Sequence, residues 1–132
     1  MNKSKLKFLV IGLGSMGRRR IRNLLHHGIT KENIFGFNLS EERCLAVSKE
    51  FDIQTENNFK KALEKFKPDV FIISTPPDSH SLYFLYAIHH HKHFFVEHPT
   101  TDKGYDELLK LETIVGVPSC SWRFNPSVKK IK

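Results

Sequence analysis

The stretch LKFLVIGLGSMG, Leu6 to Gly17, decides how the rest of the chain is read. Phe8, Leu9, Val10 and Ile11 form an apolar run of the kind a parallel strand shows when both of its faces are covered. Gly12, Gly14 and Gly17 follow in GxGxxG spacing, and a helical pattern begins at once. Strand, glycine turn and helix in that order suit the pyrophosphate of a dinucleotide. Gly12 permits the tight turn, Gly14 lets the main chain approach the phosphates, and Gly17 lets the helix pack closely on the strand. The helix start offers unpaired N–H groups and a partial positive charge to the anion.

The remainder of the chain alternates in the same way. The first helix is predicted from Ser15 to His27, with Ile21, Leu24 and Leu25 on one face, Arg18, Arg19 and Arg22 toward water and Arg20 left open. Gly28 fits the left-handed position just after a helix. Ile34 to Asn38 reads as a second strand. Ser40 is an N-cap, with Glu41 and Glu42 suiting the helix dipole, and that helix is expected to turn Leu45, Ala46 and Phe51 to the core. Ile53 to Thr55 is a short third strand. Asn57 or Asn58 caps a helix through Ala62, Leu63 and Phe66 that Pro68 stops. Val70 to Ser74 is the fourth strand, Thr75 to Asp78 a turn, and Ser79 to His91 a helix. Phe94 to Val96 is the fifth strand. Thr101 or Asp102 caps a helix through Leu108, Leu109, Leu111 and Ile114, which Gly116 ends, and Val117 to Trp122 is the sixth strand. Alternation of this kind predicts an α/β fold with a doubly wound parallel sheet of about six strands in the order 3-2-1-4-5-6 and helices on both faces.

Composition agrees with one packed domain. The chain has 132 residues, and its 39% hydrophobic content is enough for a real core. No apolar run is long enough to span a bilayer, and the short run after MNKSK ends in the glycine motif, unlike a secretory leader. Cys44 and Cys120 fit reduced thiols in a cytoplasmic protein. The net charge of +7 raises nucleic acid as a partner. Yet the basic residues are spread out and no nucleic-acid motif accompanies them, and basicity equally suits an anionic cofactor. His89, His90, His91 and His93 do not read as a metal site, because consecutive helical residues point in different directions. Asn125-Pro126 reads as a helix start with only six residues after it. The expected organisation is therefore a nucleotide-binding unit over 1–124 and, over 125–132, the beginning of a connecting helix toward an absent substrate domain.

Three further groups of residues carry chemistry. A dinucleotide fold ends its second strand in a carboxylate that holds the ribose hydroxyls. Here that place holds Asn38, with Ser40 and Arg43 near enough to meet a 2′-phosphate, so NAD and NADP both remain open. Thr75, Pro76 and His80 follow the fourth strand, at the carboxyl edge where ligands of such sheets bind. His80 equally fits a capping or packing role. Glu97-His98-Pro99 follows the fifth strand on the same edge, and an imidazole there can move protons near neutral pH.

GLGSMG, STPPDSH, FFVEHPTTD and WRFNP, in this order, resemble the Gfo/Idh/MocA family of NAD(P)-dependent oxidoreductases over nearly the whole chain. The resemblance implies an N-terminal Rossmann domain and a second α/β domain that supplies much of the substrate site and usually the oligomer interface. It also implies hydride transfer between the nicotinamide and a sugar-like or cyclitol alcohol or carbonyl. By resemblance Gly12, Gly14, Ser15, Met16, Gly17, Asn38, Thr75, Pro76, His80, Glu97 and Arg123 surround the cofactor, and Trp122 belongs to a segment that approaches the nicotinamide. His98 stands where the family pattern has the lysine assigned beside the substrate hydroxyl. That departure, with the absent substrate domain, keeps a non-catalytic nucleotide-binding sensor or scaffold as the alternative. A sheet face left without its second domain also points to self-association into a homo-oligomer.

Overall fold

Apolar runs and glycine turns resolve into a parallel sheet in the computed structural model, which describes residues 5–97 and 114–118. The elements are β1 (Phe8–Ile11), α1 (Ser15–His26), β2 (Ile34–Phe37), α2 (Glu41–Phe51), β3 (Gln54–Glu56), α3 (Phe59–Phe66), β4 (Val70–Ile73), α4 (His80–His89), β5 (His93–Val96) and β6 (Gly116–Pro118). Single 3-10 turns precede β2, at Lys31–Asn33, and α4, at Pro77–Ser79. The sheet order is β3-β2-β1-β4-β5-β6, with every pairing parallel. This is the predicted doubly wound order. β1 lies at its centre, in register with Ile34–Phe37 on one side and Val70–Ile73 on the other.

Two hydrophobic layers cover the sheet, because alternate residues of a strand face opposite ways. Leu9, Ile11, Phe35, Phe37, Phe71 and Ile73 pack with Ala62 and Phe66 of α3 and Phe84, Ala87 and Ile88 of α4. Val10, Ile34, Val70 and Ile72 pack with Ile21 of α1 and Cys44 and Val47 of α2. Phenylalanine fills much of the first layer. Phe35 stacks on Phe66 with ring centroids 4.4 Å apart, and Phe59 meets Phe37, Phe71, Tyr83 and Tyr86.

The helix ends follow local chemistry. Ser40 Oγ accepts the Arg43 N–H, and Asn58 Oδ1 accepts the Lys61 N–H, so both helices have side-chain caps. Gly28 takes φ +88° after α1. The same left-handed turn follows α2 at Asp52 and α3 at Lys67, where no glycine marks it.

Two inward faces differ from expectation. In α2, Leu45 is 65% exposed and Ala46 is exposed, while Cys44 and Val47 are buried and Phe51 is half-buried. The helix starts at Glu41, so the i, i+3, i+7 stripe toward the sheet is 44, 47 and 51. A cysteine occupies the position that the larger leucine seemed to claim. In α1, Leu24 is half-buried and Leu25 is exposed, because the short helix presents chiefly Gly17 and Ile21 to the sheet. Gly116 lies in β6 and pairs with Phe94, where a helix end was expected. The predicted helix after Thr101, most of the expected sixth strand, Cys120 and the 125–132 segment fall outside the described residues.

Candidate dinucleotide site

The carboxyl ends of β1, β2 and β4 meet where the strand order changes direction, the place at which open parallel sheets leave a crevice. A cavity of about 210 Å³ opens there. Gly12 contributes from the first loop, Phe37, Asn38 and Leu39 from the end of β2, and Thr75, Pro76, Ser79 and Tyr83 from the β4 side.

The three glycines do three different things. Gly12 has φ +95°, and a Cβ there would stand 2.6 Å from the Ser74 carbonyl oxygen. Its bareness lets the first loop pass against the exit of β4. A Cβ on Gly17 would lie 1.8 Å from the Gly12 carbonyl oxygen, so the start of α1 is pressed onto the loop itself. Gly14 differs from both. It has φ −80°, and the nearest atom to a Cβ there would be Arg43 Nη1 at 3.6 Å, an ordinary van der Waals contact with the end of a side chain and with no main chain in the way. Gly12 and Gly17 close the loop, and Gly14 leaves its approach clear.

Gly14 is also the N-cap of α1. No side chain caps this helix and no acidic residue stands in its first turn, in contrast to the Ser40, Glu41 and Glu42 that open α2. The first-turn N–H groups, beginning at Ser15 and Met16, have no acceptor within their own helix. Ser15 and Met16 are exposed, so these donors lie next to solvent at the head of the helix dipole. The residues present therefore fit a dinucleotide diphosphate: bare main chain, an approach with no backbone in the way and uncompensated donors coincide.

Asn38 ties the second strand to this loop. Its Oδ1 accepts the Leu13 N–H at 3.0 Å, its own N–H donates to the Glu56 carbonyl, and its carbonyl accepts from the Cys44 thiol. Burial pushes the Cys44 thiol up from its ordinary pKa, so it remains a neutral donor. Ser40 is held as the α2 cap, and Arg43 in the first turn is exposed with its guanidinium close to Gly14.

Thr75 and Pro76 line the opposite wall. Thr75 Oγ1 is buried without a hydrogen-bond partner among the described residues. His80 sits behind this wall rather than in it. It is 1% exposed, and its Nε2 donates to the Thr75 carbonyl. The carbonyl can only accept, which places the ring proton on Nε2 and leaves buried Nδ1 without a partner. His80 thus fixes the loop that carries Thr75. Burial also raises the pKa of Tyr83, which closes the cavity from α4.

Glu97 lies just past β5 on the same edge and is 8% exposed. Arg20 of α1 grips it with two bonds, Nε to Oε1 at 2.5 Å and Nη2 to Oε2 at 3.0 Å, while the guanidinium lies over the Phe95 ring at 4.9 Å. Ser74 Oγ reaches Oε1 at 3.4 Å, and the Glu97 N–H donates to the Ile73 carbonyl at 3.0 Å. Arg20 is the site-edge residue that the sequence reading did not assign. Its signal was positional: it stands three residues after Gly17, the residue that presses α1 onto the loop, and so shares that face. His98 and Arg123 lie outside the described residues, as does Trp122. Among the described residues no cluster of three or more metal-ligating side chains occurs, and no helix is long and apolar enough to cross a membrane.

Comparison with known proteins agrees with this geometry. The Gfo/Idh/MocA family model, described as an oxidoreductase family with an NAD-binding Rossmann fold, matches residues 6–117. No curated protein sequence matches the chain. Among solved structures, myo-inositol dehydrogenase from Lactobacillus casei, crystallised with NAD(H) and myo-inositol, superposes with a TM-score of 0.82 at 20% identity, over 96% of this chain and 40% of that one. The WlbA dehydrogenase of Bordetella pertussis, in complex with NADH and UDP-GlcNAcA, gives 0.80 at 15% identity, over 96% and 41%. A probable dehydrogenase from Thermotoga maritima gives 0.79 at 20% identity, over 96% and 39%. The chain spans about two fifths of the length of these structures.

Proposed function

The chain belongs to the Gfo/Idh/MocA oxidoreductase family, as its NAD-binding Rossmann domain, and from that premise we propose that it serves hydride transfer between a nicotinamide dinucleotide and a sugar-like or cyclitol alcohol or carbonyl carbon. The observation that carries this reading is the Gly12–Gly17 loop. Two of its glycines are demanded by protein backbone, while at Gly14, at an uncapped helix start, no backbone blocks the approach and the nearest atom is the end of the Arg43 side chain. A loop serving only as a turn would have no reason to leave that approach clear. The inositol and nucleotide-sugar ligands of the similar structures support the substrate class.

When bound, the nicotinamide supplies the hydride acceptor or donor. The chain's own residues bind and orient. First-turn N–H groups of α1 receive the diphosphate, and Asn38 keeps the loop in shape by holding Leu13. Thr75, held from behind by His80, and Pro76 form the wall beyond β4. Arg20 and the Ile73 carbonyl fix Glu97, and with it the point from which the chain leads to His98. We assign His98 the proton exchange with the substrate hydroxyl, since a neutral imidazole can accept a proton near pH 7. The substrate-side contacts are proposed to come from a second domain, through which the intact protein would also self-associate, and a cytoplasmic location suits the cofactor supply.

The test is thermal denaturation of the chain with and without NAD. A ligand at about 100 times its Kd stabilises by about 2.7 kcal/mol. A rise in Tm that grows with cofactor concentration is expected, and no rise at millimolar NAD or NADP would overturn the proposal. In the intact protein, unchanged turnover after His98→Ala would remove His98 from the chemistry.

A further inference from the structure

We infer that the site is built for the 2′-phosphorylated dinucleotide, NADP, with Arg43 receiving the 2′-phosphate beside the end of β2. This rests on the dinucleotide site proposed above and assigns its specificity. A site that selects the free ribose needs an acceptor at the end of the second strand, normally a carboxylate that takes the hydroxyl protons. Asn38 stands there, an uncharged amide whose oxygen accepts the Leu13 N–H at 3.0 Å. A backbone N–H can only donate, so the orientation of the amide is fixed. In place of a carboxylate that would repel a phosphate, Asn38 presents a neutral amide whose Nδ2 donor pair suits phosphate oxygens.

Arg43 adds a second donor of the same sense. Its Nη1 lies 3.6 Å from where a Gly14 Cβ would be, so the guanidinium leans over the mouth of the glycine loop instead of extending away from it. Arg18, Arg20 and Arg22 are each paired with a carboxylate, whereas among the described residues no carboxylate pairs with Arg43. Glu41 and Glu42 share its turn and leave it unpaired. Ser40 Oγ accepts the Arg43 N–H, and its hydroxyl proton remains free to donate. The local set is therefore two donors and a hydroxyl with no fixed negative charge aimed among them. A phosphate monoester, carrying between one and two negative charges near neutral pH, matches that set, and a guanidinium matches its geometry with two parallel bonds.

The test is calorimetric titration of the 132-residue chain with NAD and with NADP, repeated on Arg43→Ala and Asn38→Asp. NADP is expected to bind at least about tenfold more tightly than NAD, the scale of one charge-assisted hydrogen bond. Arg43→Ala should remove that preference by weakening NADP alone. Asn38→Asp keeps an acceptor for Leu13 but adds a charge, and should reverse the preference. Equal or tighter binding of NAD by the unaltered chain would overturn the inference while leaving the dinucleotide reading in place. Loss of both cofactors in Arg43→Ala, with the melting temperature unchanged, would assign Arg43 to the shared diphosphate and equally overturn it. Binding of neither cofactor by the unaltered chain would end the dinucleotide reading itself.

Discussion

Alanine at Gly17 and alanine at Gly14 should fail in opposite ways. At Gly17 the new Cβ would stand 1.8 Å from the Gly12 carbonyl oxygen, against a floor of 3.0 Å for real Cβ contacts, so loop and helix must part by more than 1 Å. The obstacle is main chain and has no rotamer to change. Overpacking of this kind costs about 1–3 kcal/mol and occasionally more, and a backbone obstacle belongs at the upper end, near 3 kcal/mol. With about 4 °C of melting temperature per kcal/mol for a domain of this size, Gly17→Ala should lower Tm by about 12 °C. At Gly14 the nearest atom is the far end of the Arg43 side chain at 3.6 Å, and the φ of −80° is ordinary for alanine. Stability should change by no more than about 1 kcal/mol, the scale of helix capping preferences. Cofactor affinity should fall instead, because the methyl group occupies the diphosphate approach. Loss of one charge-assisted main-chain hydrogen bond, about 1.5–3 kcal/mol, weakens binding by about ten- to a hundredfold. Denaturation gives the first quantity and calorimetric titration the second. Equal destabilisation by the two variants, or full affinity in Gly14→Ala, would refute the division of labour argued for the loop.

Two further outcomes follow from buried polar groups. Arg20→Met should destabilise the domain by about 3 kcal/mol in urea denaturation, because Glu97 is left buried without its partner. The double variant Arg20→Met/Glu97→Gln should recover part of that loss, and strict additivity would show that the pair is not coupled. Burial raises the pKa of Cys44 above its ordinary 9.0 and that of Tyr83 above 10.0. The folded state therefore keeps protons on these two groups that the unfolded chain releases first, so their contribution to stability should be constant from neutral pH to about pH 9 and decline above it. A urea midpoint that rises between pH 9 and pH 11 would contradict this sign.

The sheet order was legible because β1, β2 and β4 are nearly continuous apolar runs, as in a parallel sheet covered on both faces, and alternate with helices opened by turn and cap residues. Local contacts were legible too: the caps at Ser40 and Asn58 depend on partners three residues away. Contacts across the sheet were not. Arg20 and Glu97 are 77 residues apart, and Asn38 and Leu13 are 25 apart, so nothing in their own neighbourhoods announced the pairing. The inward face of α2 was misjudged at Leu45 because side-chain hydrophobicity outweighed register, and burial of Cys44 shows that register wins. His80 read equally as ligand or packing residue, and its bond to the Thr75 carbonyl places it behind the wall of the cavity.

The most direct measurement of the central claim is an amide NMR titration of the chain with the dinucleotide. Binding through bare main chain should move the Gly14, Ser15, Met16 and Gly17 signals most, with smaller shifts at Asn38 and Thr75 across the cavity. Shifts confined to other parts of the sheet, with these four amides unmoved at saturating ligand, would contradict the account.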